Sequence, residues 1–199
     1  MSYAFGFDMA LAASGMACVA YGPLGWKLEA SKLVTTPPHL HISERCRMIM
    51  RHVRQFVRDH SDTSVPIFGV ESFARNTRFR REEAGAAAAS LYCALDRWLR
   101  EGEAEFVEVT PHDAKVRVCP NWPGNNMETW VAAGRDPKKY QFSMPDKDAV
   151  MNGLCARYGV ALTNEHKADA ACVAIEAIHR RDPALKDQSL RRAKRVRKK

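Results

Sequence analysis

No two cysteines in this 199-residue chain form a CxxC pair; the six thiols, Cys18, Cys46, Cys93, Cys119, Cys155 and Cys172, are scattered along it. Their spacing argues against a zinc ribbon and a disulfide framework, and it suits a reducing compartment. Also missing is any apolar run approaching the roughly 18–20 residues that a bilayer span requires, so no membrane partner is expected. The N-terminus lacks a basic region leading into an apolar run and a small-residue cleavage site, which reads as an unprocessed, cytoplasmic chain. There is no internal repeat, and the 46% hydrophobic content is that of an ordinary globular domain. One continuous core is therefore expected.

What the chain does have is positive charge, unevenly placed. Of its 31 Lys and Arg and 23 Asp and Glu, eight basic residues and one acid lie between Lys186 and Lys199, so this stretch carries +7 of the net +8 and the rest only +1. The run KDQSLRRAKRVRKK holds too few apolar residues to fold alone, and it reads as a polycationic arm, residues 183–199, following a folded domain at 1–182. Without an amphipathic apolar face the arm fits a polyanion such as nucleic acid better than a lipid surface. A plain solubility tail is the alternative.

Apolar patterning predicts strands at 4–10, 15–22 and 26–34, joined by short turns and hence antiparallel. Ser43 reads as the N-cap of a helix running to about Asp59, with Ile49, Val53, Phe56, Val57 and His60 on one face. Val65–Glu71 has the length and character of a buried strand and, following a helix, should join the sheet in parallel. A helix at 82–100, a strand at Ala104–Thr110 and helices at about 146–158 and 165–180 complete a βββαβαβ order. Residues 116–145 read as a long inserted loop, where Trp122, Trp130 and Tyr140 would either stack on bases or fill a small local core.

Asp8 is the costly residue. It sits in the apolar, aromatic run YAFGFDMAL, where an ionised carboxylate must take up a proton or find a cation. Glu71, ending VPIFGVE, and Asp169, in NEHKADAACVAIEAIH, are acids on two other apolar elements, and the three together would suit a divalent metal. Taken singly, each has a plainer reading as a turn, strand-end or solvated helix residue.

In their order along the chain, FGFDMALAASGMACVAYG, IFGVESFARN, VTPHDAK, KDAVMNGLCARYGV and HKADAACVAIEAIH resemble the RuvC-type Holliday-junction resolvases of the ribonuclease H-like nuclease superfamily. The resemblance spans roughly residues 4–180. It implies an α/β fold with a mixed five-stranded sheet flanked by helices, and metal ligation by Asp8, Glu71, His166 and Asp169. His166 lies three residues before Asp169, close enough on a helix to address the same ion, while Glu165 competes for that place. The resemblance also implies catalytic roles for Lys115 and Lys147 near the scissile phosphate. It places Phe73, Arg75 and Asn76 in a stretch that touches the junction. Arg78, Arg80 and Arg81 extend that basic cluster, and Arg191, Arg192, Lys194 and Arg195 of the arm add further contacts to DNA.

The expected activity is magnesium-dependent hydrolysis of DNA phosphodiesters by two ions per site, with manganese as a substitute. The expected substrate is a four-way junction, cut symmetrically by a homodimer. The alternatives are a superfamily relative acting on other branched DNA or RNA/DNA hybrids, and an inactive junction-binding protein. Two departures mark a divergent member, with a phage as one source. Met9-Ala10 stands where the family has Pro-Gly, and the segment between Lys115 and Lys147 is long.

Overall fold

The computed structural model describes residues 1–23, 25–61, 66–72, 82–102, 104 and 106–181. Five strands, β1 (Ser2–Asp8), β2 (Ala13–Gly22), β3 (Gly25–Thr35), β4 (Ile67–Glu71) and β5 (Phe106–Val109), form one sheet in the order β3-β2-β1-β4-β5. The first three pair antiparallel, while β4 joins β1 and β5 joins β4 in parallel. This is the mixed sheet expected from the sequence, with strand ends shifted by at most two residues.

Among the described residues six helices accompany the sheet: α1 (Ile42–His60), α2 (Glu82–Glu101), α3 (Pro111–Val118), α4 (Met127–Ala132), α5 (Lys147–Tyr158) and α6 (Glu165–Arg181). β1 is buried on both faces, which is why it reads as an unbroken apolar run. On one face Phe5, Phe7, Met16, Phe68 and Val70 pack with Ile49, Val53 and Phe56 of α1 and Leu91, Leu95 and Leu99 of α2. On the other, α6 lies directly on the sheet, with α3 and α5 packed around it.

Three glycines allow α6 to approach so closely. A Cβ at Gly6 would stand 2.6 Å from Ala174 N and closer still to Ala170 O; one at Gly69 would stand 2.8 Å from Ala177 Cβ and Val173 O. A Cβ at Gly15 would overlap the His166 carbonyl. Strand residues alternate between faces, so these positions put Asp8 on the face of Gly6 and Glu71 on the face of Gly69, toward α6.

Several local expectations differ from the structure. The N-cap of α1 is His41, not Ser43: the His41 ring accepts from Ser43 N, and Glu44 returns a bond to His41 N at 3.2 Å. The imidazole thus does what a Ser or Asp side chain usually does at this position. Residues 116–145 are not one loop. They hold the end of α3, then α4 capped by Asn126, and a 3-10 turn at Pro137–Lys139. Trp130 packs edge-on against Tyr140 at 5.8 Å, and Trp122 Nε1 donates to Ser143 Oγ, so these half-buried aromatics make contacts within their own segment. No helix among the described residues is long and apolar enough to cross a membrane.

Candidate active site

Asp8 and Glu71 stand at the carboxyl ends of adjacent parallel strands. The register pairs Phe7 with Val70, so the next residues on each strand, Asp8 and Glu71, are neighbours on the same face. Strands in a sheet lie about 5 Å apart, and the two carboxylates project from that spacing toward the first turns of α6. The loop after Asp8 is braced. Ser14 Oγ donates to Ala10 O at 2.7 Å and accepts from Ala10 N. Thr36 Oγ1 and Arg45 Nη2 both donate to Leu11 O, and Arg45 Nε donates to Thr36 Oγ1 at 2.7 Å.

From α6, His166 Nδ1 reaches Asp8 Oδ2 at 3.0 Å, where it donates to the carboxylate. Glu165 turns aside and pairs with Lys147, at the first turn of α5. His166 and not Glu165 therefore faces Asp8. Asp169, one turn further along α6, accepts a salt bridge from Lys115 Nζ of α3 at 3.1 Å. Lys147 keeps 70% of its side chain exposed at the rim.

Burial and neighbouring charge both act on the described residues of the site. Asp8 has only 15% of its side chain exposed. Its carboxyl is pushed above the usual value, first by burial and then by the negative charge of Asp169, although the His166 hydrogen bond opposes both. Burial alone would lower the Lys115 ammonium, but the charge and hydrogen bond of Asp169, with Glu71 behind them, raise it overall. Cys172 lies fully buried beneath this group; burial first and then the charges of Asp169 and Glu71 hold its thiol well above the ordinary range.

Asp8, Glu71, Asp169, His166 and Lys115 therefore meet at one edge of the sheet, and Lys147 sits at its margin. Among the described residues no three His, Cys, Asp or Glu side chains are already disposed as a metal-holding group. His166 and Lys115 are bonded to the carboxylates instead. Phe73, Arg75, Asn76, Arg78, Arg80 and Arg81, together with Arg191, Arg192, Lys194 and Arg195, lie outside the described residues.

One element of the site escaped the sequence reading. Glu176, 5% exposed, accepts from Arg117 Nε at 2.6 Å and from Arg180 Nε at 3.0 Å. Arg180 also bonds Asp113 at 2.7 Å and Glu108 O at 2.8 Å. This network ties α3 to α6 and so holds Lys115 opposite Asp169. The available signal was spacing: Arg117 follows Lys115 by two residues and Glu176 follows Asp169 by seven, two helical turns.

The chain matches no protein-family model, and no curated protein matches it. Solved structures do. RuvC of Thermus thermophilus in complex with Holliday junction substrate aligns with a TM-score of 0.64 at 19% identity, covering 88% of this chain and 92% of that one. A second structure of T. thermophilus RuvC aligns with a TM-score of 0.59 at 20% identity, covering 90% and 95%. The yeast mitochondrial Holliday junction resolvase Ydc2 aligns with a TM-score of 0.51 at 10% identity, covering 89% and 78%. The chain shares its fold with these RuvC and Ydc2 structures, and the fold implied by the ordered motifs holds at that level.

Proposed function

We propose that this protein is a structure-selective endonuclease that resolves four-way DNA junctions by metal-dependent phosphodiester hydrolysis. The observation that carries the reading is the placement of Asp8 and Glu71 side by side at the ends of parallel strands, with His166 and Asp169 brought to them by α6. Kinship of fold with RuvC bound to its junction adds support.

The donor set fits hard divalent cations. Its members are carboxylate oxygens and an imidazole, and a desolvated carboxyl whose own neighbour repels its ionisation favours any cation that enters. Asp8, Glu71, Asp169 and His166 would hold two magnesium ions, with manganese an acceptable replacement. When bound, such ions supply a polarised water and compensate charge on the departing 3′ oxygen.

The chain's own residues do the rest. His166 fixes the orientation of Asp8 through its Nδ1 bond, and the Ser14, Thr36 and Arg45 contacts hold the loop behind it. Lys115, released from Asp169 as cations take its place, would present its ammonium to the phosphate, where charge accumulates during attack. Lys147, exposed at the rim, would hold a flanking phosphate, as would Arg75, Arg78, Arg80 and Arg81 after β4. Phe73 and Asn76 would meet the branch itself. The arm with Arg191, Arg192, Lys194 and Arg195 would add affinity without sequence preference.

A four-way junction has two-fold symmetry, and paired nicks require two sites at a fixed separation, so the acting species is a homodimer. The test is a labelled four-way junction incubated with magnesium and parent protein, alongside Asp8→Asn and Asp169→Asn. Paired symmetric nicks from the parent and none from either variant support the reading. Equal cutting by the variants, or cutting of linear duplex as readily as of the junction, overturns it.

A further inference from the structure

The four-residue series Arg47, Arg51, Arg54 and Arg58 is spaced by four, three and four along α1, and all four side chains are exposed. At about 100° per residue they fall within about 60° of one another around the helix axis, and from first to last they span about 16 Å. The buried residues of α1, Ile49, Met50, Val53, Phe56 and Val57, occupy a different face. Among the described residues no carboxylate is paired with any of the four arginines.

Like charges three and four residues apart on one helix repel, so the stripe weakens α1 unless an anion faces it. The positive field is felt locally. Lys32 Nζ on β3 lies 3.1 Å from His52 Nδ1, and burial followed by the charges of Lys32 and Arg51 holds the His52 imidazole below its ordinary value. Outside the terminal arm the chain carries a net charge of only +1, so four exposed arginines within one face of α1 are a local concentration of positive charge. The stripe also has a direction. β3 ends beside Ala13, at the edge of the sheet where Asp8 stands, and Arg45 at the start of α1 bonds Leu11, three residues past Asp8. α1 then runs back along the sheet toward the start of β4. The arginines thus form a track leaving the catalytic edge.

We propose that this track binds the phosphate backbone of a duplex arm as it leaves the active site. The proposal rests on the nuclease reading above and adds a second DNA surface to it, on the layer opposite α6. The dimensions agree, because about 16 Å of B-form duplex presents about five phosphates per strand at about 3.4 Å each. Guanidinium groups make paired hydrogen bonds to phosphate oxygens, which suits them to this role. Such contacts carry no sequence information.

The experiment is the salt dependence of binding in EDTA, where nothing is cut, measured on a four-way junction and on a linear duplex of the same arm sequence. The proteins are the parent, a quadruple Arg→Gln variant at 47, 51, 54 and 58, the corresponding quadruple Arg→Lys variant, and Lys27→Ala, whose ammonium is already held by Glu29 at 2.9 Å. Each lost phosphate contact lowers the log–log salt slope by about 0.9, so the Gln variant should show a slope smaller by about 3 to 4 on both substrates. Its affinity near physiological salt should fall by about tenfold or more, while the Lys variant and Lys27→Ala keep the parent slope. An unchanged slope in the Gln variant overturns the proposal. So does a change in its oligomeric state by gel filtration, which would make the stripe a protein–protein contact. A parent that binds linear duplex as tightly as the junction counts against the nuclease reading alone, since the slope on linear duplex still tests the stripe.

Discussion

Placing a methyl group at Gly6 tests whether the close approach of α6 to the sheet makes the site. The new Cβ would stand 2.6 Å from Ala174 N, against 3.4 Å at the near edge of ordinary contact, and it would overlap Ala170 O outright. Backbone cannot rotate aside, so α6 must move off β1 by about 0.8 Å or more. Overpacking of this kind costs about 1–3 kcal/mol. It also displaces His166 and Asp169 from Asp8 and Glu71, and a shift of about 1 Å at reacting groups costs about 100-fold in rate. Single-turnover cleavage of a four-way junction, read together with thermal denaturation, gives both numbers. Gly69→Ala, at 2.8 Å from Ala177 Cβ and Val173 O, should be milder, and Gly22→Ala, with nothing within 4 Å, should be silent. A folded Gly6→Ala protein that cuts within about twofold of the parent would show that the site does not depend on the close approach of α6.

Three further outcomes follow from the same geometry. The Asp8 carboxyl is raised in the folded state, so the native protein holds that proton more tightly than the unfolded chain. Stability is therefore full below the ordinary carboxylate value of 3.8 and falls as pH rises through the raised folded value. In metal-free buffer Asp8→Asn should gain on the parent in Tm as pH climbs from about 3.5 to 7, each kcal/mol appearing as about 2–4 °C; a constant gap contradicts this. Lys115→Gln removes both the charge proposed to face the phosphate and the partner that now holds Asp169. Cleavage should fall about 100-fold or more while manganese binds more tightly by calorimetry, and weaker binding would count against the exchange. Glu176→Gln neutralises the buried partner of Arg117 and Arg180, both of which reach solvent while Arg180 keeps Asp113, so a loss of about 1.5–3 kcal/mol should lower Tm by about 3 °C or more; a shift under about 1 °C would show the network to be idle.

The sheet was legible because its strands are apolar runs of strand length separated by short turns, and the passage from short turns to an intervening helix separates antiparallel from parallel pairing. Asp8 and Glu71 could be singled out because a carboxylate inside such a run is costly. Their meeting with His166 and Asp169 was carried by resemblance rather than by pattern. Gly6, Gly15 and Gly69 explain that meeting, but their meaning depends on which strands are neighbours. α3 was missed because eight residues with two buried side chains give little periodicity, although Thr110 followed by Pro111 is a start signal. His41 was passed over as a cap because Ser43 is the commoner residue type for that place. The Arg117–Glu176–Arg180 network joins helices remote in sequence, and no local pattern marks it. The arginine stripe of α1 is open to view in its spacing, but acids elsewhere in the folded domain nearly cancel it, so net charge hides it.

If these carboxylates act together on divalent cations, as proposed, manganese binding followed by electron paramagnetic resonance registers it without recourse to cleavage. The parent should bind manganese at the edge of the sheet, and Asp8→Asn, Glu71→Gln and Asp169→Asn should each lose most of that binding while remaining folded. Manganese bound equally by the parent and all three variants would overturn the proposed metal site.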